Sequence, residues 1–128
     1  ALDGVGAGHG ADFLLPSDLG FPQWQDEQGT VEERLTLSTT GPLLLSVCGT
    51  SADEHQAAAR SRRFQGAAAE DMETFGAALA ARMAHVPLHA VRGISNVAGD
   101  RHKAHWQVEP ALEAAAIRTR ALLEGLRP

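Results

Sequence analysis

The chain is short of cysteine, aromatic residues and basic runs, and each shortage removes a class of protein. A single cysteine, Cys48, cannot close an intrachain disulfide. That excludes a disulfide-stapled scaffold and fits a reducing compartment. Cys48 ends an apolar run, and no histidine is placed by sequence to activate it, so it reads as a small buried hydrophobe. The net charge is −5 and the densest basic spot is Arg62-Arg63, read as a solvated helix face. No nucleic-acid partner is expected from that balance. Neither a charged-then-apolar leader nor an apolar run of membrane-span length is visible, so no membrane partner and a cytoplasmic location are expected. The apolar fraction is 44%, drawn mainly from Ala, Leu and Val, while aromatics supply only 5%. With 128 residues the chain makes one domain at most.

What is present divides near residue 42. Residues 1–42 lack clear periodicity and read as an irregular lead-in. Gly4, Gly6, Gly8 and Gly10 alternate with small residues, but no strand precedes them and no lysine follows, so they make no phosphate loop. The stretch Gln23 to Glu33 is polar and expected to be exposed. From 43 the pattern is α/β. Leu43 to Cys48 is a short apolar run ended by Gly49, the mark of a buried strand. Ser51 or Asp53 can cap a helix that runs to about Phe64. Ala67-Ala68-Ala69 suits another strand. Met72, Phe75, Leu79, Met83 and Val86 fall at spacings of three and four and predict one helix face. Pro87 stops that helix, and Val86 to Val91 predicts the next strand. Pro110 fits the first turn of a last helix, with Leu112, Ala115, Ala116, Leu122 and Leu123 towards the core. Strands alternating with helices imply an α/β fold with a mixed, partly parallel sheet flanked by helices.

The chemistry concentrates in two places. One is Asp71-Met72-Glu73; the other is Arg92-Gly93-Ile94-Ser95-Asn96, continuing through Val97, Ala98 and Gly99 to Asp100-Arg101. A small polar turn after a buried strand is where open α/β sheets hold ligands. Asn96 carries an acceptor oxygen and two N–H donors on one rigid amide. A 6-oxopurine offers O6 beside N7, which gains a proton as the base leaves, and one carboxamide matches both. Asn96 is therefore the candidate catalytic residue, with Ser95 beside it as a substrate-binding residue. Glu73 accepts hydrogen bonds only, so it can hold two vicinal ribose hydroxyls and favour an oxocarbenium-like sugar. Met72 can give the sugar an apolar, deformable wall.

Plainer readings compete. Glu73 near a helix start suits the macrodipole without any ligand. Asn96 after a strand is an ordinary turn residue, and Met72 has the spacing of a core residue. Trp106 reads as an anchor for its loop. His102 and His105 sit three apart, a spacing open to a metal. However, no H-E-x-x-H and no second cysteine or acidic triad accompanies them, so no metal and no cofactor is expected.

The quoted motifs, with Val86-Pro87 between them, resemble the second half of the nucleoside phosphorylase and nucleosidase superfamily. The extension through Gly99-Asp100-Arg101 to Trp106 and an Ala-rich helix resembles its futalosine hydrolase branch. The Phe13 to Phe21 region is loosely similar as well, with Asp12 where that branch has glycine. The resemblance implies an N-ribosyl hydrolase that releases hypoxanthine from futalosine on a route to menaquinone, with water as nucleophile. Related methylthioadenosine nucleosidases have Ser-Asp where this chain has Ser95-Asn96, which agrees with the match of an amide to a 6-oxopurine. The superfamily opens with a strand, a glycine turn and a water-activating glutamate that residues 1–42 do not reproduce. The expectation is thus a partial nucleoside phosphorylase-like fold with the N-terminal half missing. Residues 1–128 would form the C-terminal portion of one nucleosidase domain, with activity not expected of them alone. The partner is a small nucleoside, and the full-length form is expected to be a homo-oligomer. The alternatives are a purine nucleoside phosphorylase, or an inactive remnant acting as a binding module.

Overall fold

The computed structural model describes residues 1–37 and 41–126. Its elements follow the expected order except for the strand expected at Val86 to Val91, with additions in the first third. A short helix α1 (Pro16–Leu19) precedes an antiparallel hairpin, β1 (Trp24–Asp26) and β2 (Gly29–Val31). Then come β3 (Leu43–Ser46), α2 (Glu54–Arg63), β4 (Ala67–Asp71), α3 (Thr74–Met83) and α4 (Val108–Gly125).

β3 and β4 pair in parallel, Leu44 opposite Ala69 and Ser46 opposite Asp71. Parallel neighbours need a crossover, and α2 supplies it. Asp53 caps that helix by accepting the Gln56 N–H at 2.8 Å. On the other side of β3, Leu2 bridges Ser46 in parallel and the terminal ammonium of Ala1 donates to the Leu44 carbonyl. Ala1, Leu45, Val47 and Phe64 form the buried core, with Leu15, Leu43 and Ala67 packed against it. Phe64 ends α2 and is fully buried, so it fastens the crossover to the strands.

Several expectations are corrected. The polar stretch 23–33 forms the hairpin, and Val31 and Glu33 are buried. Glu33 is buried because Ser17 donates to it from both backbone and hydroxyl, while Arg82 of α3 grips Asp26 of β1 at 2.5 and 2.8 Å. The Arg82 hydrogen bonds hold the Asp26 carboxyl well below the ordinary carboxylate range. Cys48 is exposed, since it lies one residue beyond Val47, the last core residue of that run.

The α3 stripe is also displaced. The helix starts at Thr74 and buries Thr74, Phe75 and Ala78, leaving Met72, Met83 and Val86 exposed. Met72 precedes the helix in the β4–α3 turn. His85, with φ of 55°, ends the helix before Val86.

Val86 to Val91 forms no strand. A strand is defined by its ladder, and two clefts, both touching Ala68, Ala69 and Ile94, separate β4 from the Ala90–Ser95 stretch. α4 buries only Ala111, and Leu112 and Leu123 are exposed. Where α4 meets the Gly93 backbone, the Ala111 carbonyl sits so close that no side chain fits there. No helix among the described residues is long and apolar enough to cross a membrane.

Candidate active site

Two polar centres stand out, one at the ends of β3 and β4 and one in the loop that precedes α4. The first surrounds Asp71, the last residue of β4. Its Oδ1 accepts the Ser46 hydroxyl at 2.7 Å and the Thr74 N–H at 3.3 Å. Its Oδ2 accepts Arg92 Nε at 2.9 Å and the Thr74 hydroxyl. Ser46 Oγ in turn accepts the Phe75 N–H at 2.8 Å. The opening turn of α3 is therefore satisfied by Asp71 and Ser46. Burial pushes the Asp71 carboxyl up, but hydrogen bonds from Thr74, Ser46 and Arg92 outweigh it and hold the group below its ordinary value.

Glu73 occupies the N-cap position of α3 yet its side chain makes no capping bond. It is 72% exposed, 3.6 Å from Arg92 Nη2. With Asp71 already serving the helix backbone, the Glu73 carboxylate meets only the Met72 N–H, at 3.4 Å, and Arg92 among the described residues, and its exposed side is open to a ligand. Met72 beside it is exposed as well.

The second centre is the loop from Gly93 to Gln107, closed by the Gln107 N–H on the Ser95 carbonyl at 2.7 Å. Ser95 donates its hydroxyl to Asn96 Oδ1 at 2.7 Å. Asn96 Nδ2 donates to the Val97 carbonyl at 3.0 Å and the Asp100 carbonyl at 3.4 Å. The Asn96 oxygen keeps a free lone pair, and its longer donor bond is weak enough to exchange for a ligand. Asp100 is the hub of the loop. Its carboxylate accepts the His102 N–H and the His105 ring, each at 2.8 Å, and its carbonyl accepts Trp106 Nε1 at 3.2 Å. The His102 N–H and the His105 ring hold the Asp100 carboxyl below its ordinary value. Gly99 has φ of +90°, and a Cβ there would lie 2.6 Å from the Asp53 carbonyl, so only glycine lets this loop reach the start of α2.

A cleft of about 980 Å³ opens between this loop and β4, with Ser51, Glu70, Ser95, Asn96, His105 and Trp106 in its wall. The structure brings Ser95 and Asn96 together there. Met72 and Glu73 do not line it; they stand on the β4–α3 turn, joined to the loop's approach through Arg92. Ser51, read as a possible cap, donates its hydroxyl to Glu70 at 2.6 Å instead. Arg60 clamps the same Glu70 at 3.3 Å and reaches Asp3 at 2.9 Å.

Sequence reasoning missed Arg92 and Asp100 as organisers. Asp71 three residues before Thr74, at a strand–helix junction, was a signal that could have found the first centre. Nothing local marks the Asp100 hub, because its partners lie up to six residues ahead.

The phosphorylase superfamily model matches residues 24–126. Futalosine hydrolase from Streptomyces coelicolor is 34% identical over 140 aligned positions, which take in 97% of this chain and 55% of that protein. The chain thus spans about half the length of the curated relative it matches. No solved structure matches it significantly. Both motif-bearing centres fall inside the family match, and this chain belongs to the phosphorylase superfamily.

Proposed function

We propose that this chain carries the base- and ribose-binding portion of an N-ribosyl hydrolase that releases hypoxanthine from futalosine. The observation that carries the reading is the Ser95-Asn96 pair in the wall of the cleft, in a chain 34% identical to a futalosine hydrolase.

On this reading Asn96 Oδ1 accepts the N7 proton of the departing base while Nδ2 gives up its long bond to Asp100 and donates to O6. Ser95 holds the amide in that orientation. Glu73 holds the ribose hydroxyls and faces the positive charge that develops on the sugar as the glycosidic bond loosens. Met72 packs against the sugar. Because Glu73 stands outside the cleft wall, this assignment requires the substrate to extend from the cleft past Arg92 to the β4–α3 turn. Water is the nucleophile, activated by a glutamate of the kind with which the superfamily opens. Neither metal nor cofactor takes part, and the place of the reaction is menaquinone biosynthesis in the cytoplasm, by a homo-oligomer.

The test is to incubate the full-length gene product with futalosine, inosine and methylthioadenosine and to follow free base by chromatography. Hypoxanthine from futalosine, with methylthioadenosine untouched, supports the reading. Base release from inosine that requires phosphate would replace it with a phosphorylase, and no release from any of them would leave a binding module.

A further inference from the structure

We propose that His105, oriented by Asp100, is the proton donor to the departing base, an inference that rests on the nucleoside-cleaving reading above. Asn96 can hydrogen-bond a purine but cannot give up a proton at any physiological pH, because an amide nitrogen is far too weak an acid. A purine leaves far more readily as a neutral base than as an anion. A side chain of these residues that reaches the cleft and can donate a proton and recover it would supply what Asn96 cannot.

Among the described residues, the ionisable side chains in the cleft wall are Arg60, Glu70, Asp100, Arg101 and His105. Arg60 and Arg101 are guanidinium groups and do not release protons in proteins. Glu70 is committed to Ser51 and Arg60. Asp100 spends its carboxylate on His102 and His105. Only His105 combines a side-chain type that titrates near neutrality with an unoccupied ring atom.

Its geometry is that of an oriented acid–base group. Nδ1 lies 2.8 Å from Asp100 Oδ2. A carboxylate there accepts from Nδ1–H, which leaves Nε2 as the atom that carries or gives up the exchangeable proton. The ring stacks on His102 with centroids 4.6 Å apart, which fixes its plane. Asp100 also accepts the Asn96 amide on its backbone carbonyl, so one residue holds both the amide that reads the base and the imidazole. Among the described residues, the titratable groups recorded against the His105 ring are Asp100 and His102, both on its own loop. Arg101 beside them points away, to the Thr50 hydroxyl at 2.8 Å.

The step balances simply. The bond from the anomeric carbon to N9 breaks and its electron pair goes to the purine. The Nε2 proton of His105 goes to N7, giving the neutral base, whose N7–H then donates to Asn96 Oδ1. The oxygen of water bonds to the anomeric carbon and loses one proton to the activating glutamate or to solvent, and His105 recovers a proton from solvent.

The experiment uses the full-length gene product and two ribosides: futalosine, whose base needs the proton, and p-nitrophenyl riboside, whose phenolate does not. His105→Asn keeps a donor towards Asp100 and deletes Nε2. The expected result is a loss of about a hundredfold or more in kcat on futalosine with p-nitrophenyl riboside nearly unchanged. Equal losses on both would make His105 a structural residue, and no loss on either would remove it from the reaction; each overturns the proposal. Should the variant fail to fold, the wild-type pH profile decides. A falling alkaline limb on futalosine that is missing on p-nitrophenyl riboside supports the proposal, and superimposable profiles overturn it. If wild-type protein cleaves p-nitrophenyl riboside but not futalosine, the futalosine reading and this inference fall together. Futalosine cleavage with unaltered His105→Asn kinetics sinks the inference alone.

Discussion

Arg92 Nε lies 2.9 Å from Asp71 Oδ2, and this pair joins the end of β4 to the approach of the loop that holds Asn96. The same guanidinium reaches the Thr74 hydroxyl at 2.8 Å and stands 3.6 Å from Glu73. One arginine therefore ties together the two motifs that share no contiguous sequence.

Asp71→Asn should destabilise the fold at neutral pH. A hydrogen bond to a charged group is worth roughly 1.5–3 kcal/mol, and the Asp71 side chain is only 9% exposed. The folded carboxyl is held below its ordinary value, so its stabilisation is complete above the unfolded pKa and fades as pH falls through the folded one. Urea melts of both proteins should differ at pH 7 and converge as pH drops below about 4. A difference that persisted unchanged into acid would rule out the charge as its source.

Two glycines should respond in opposite directions. Gly93→Ala drives a methyl into the Ala111 carbonyl, so it should cost about 1–3 kcal/mol and shift the Asn96 amide resonances. Gly76 lies inside α3 with nothing within 4 Å of an added Cβ. Gly76→Ala should stabilise by about 0.5–1 kcal/mol. Thermal melts of the two variants check both signs, and a neutral Gly93→Ala would mean that the loop does not dock on α4 as described.

Glu73→Gln separates a ligand-holding carboxylate from a helix-end charge. The side chain makes no cap bond, so the melting temperature should barely move, whereas ribose binding and turnover in the full-length gene product should collapse. A melting point lowered by the equivalent of about 0.3–1 kcal/mol with intact kinetics would return Glu73 to the macrodipole role.

Phe64→Ala removes the fully buried ring that anchors α2 to β3. A loss of about 3–5 kcal/mol is expected, read as a lower denaturation midpoint. A small loss would mean that the described core is not the one the chain uses.

Periodicity and caps made much of residues 43–126 legible in the sequence. Asp53, Pro110 and the Leu43 to Ser46 run each work through near neighbours, so α2, α4 and β3 could be read directly. The hairpin escaped because its stability comes from Arg82 and Ser17, distant in sequence from Asp26 and Glu33. Val86 to Val91 was misread for the converse reason: an apolar run becomes a strand only when a neighbour offers a ladder. At the candidate site, Ser95 and Asn96 were legible as a turn after an apolar run. That Glu73 stands clear of their cleft was not, since the direction of the β4–α3 turn is set by Asp71, Ser46 and Arg92 together. Local spacing does not carry that information.

The most direct test of the account is the base preference of Asn96→Asp in the full-length gene product, measured as free base released from futalosine and from methylthioadenosine. A carboxylate in place of the amide loses the donor to O6 and gains affinity for an exocyclic amine. The account predicts a loss of about a hundredfold or more on futalosine, with preference moving towards the 6-aminopurine nucleoside. Unchanged rates with unchanged preference would contradict it and take Asn96 out of the site.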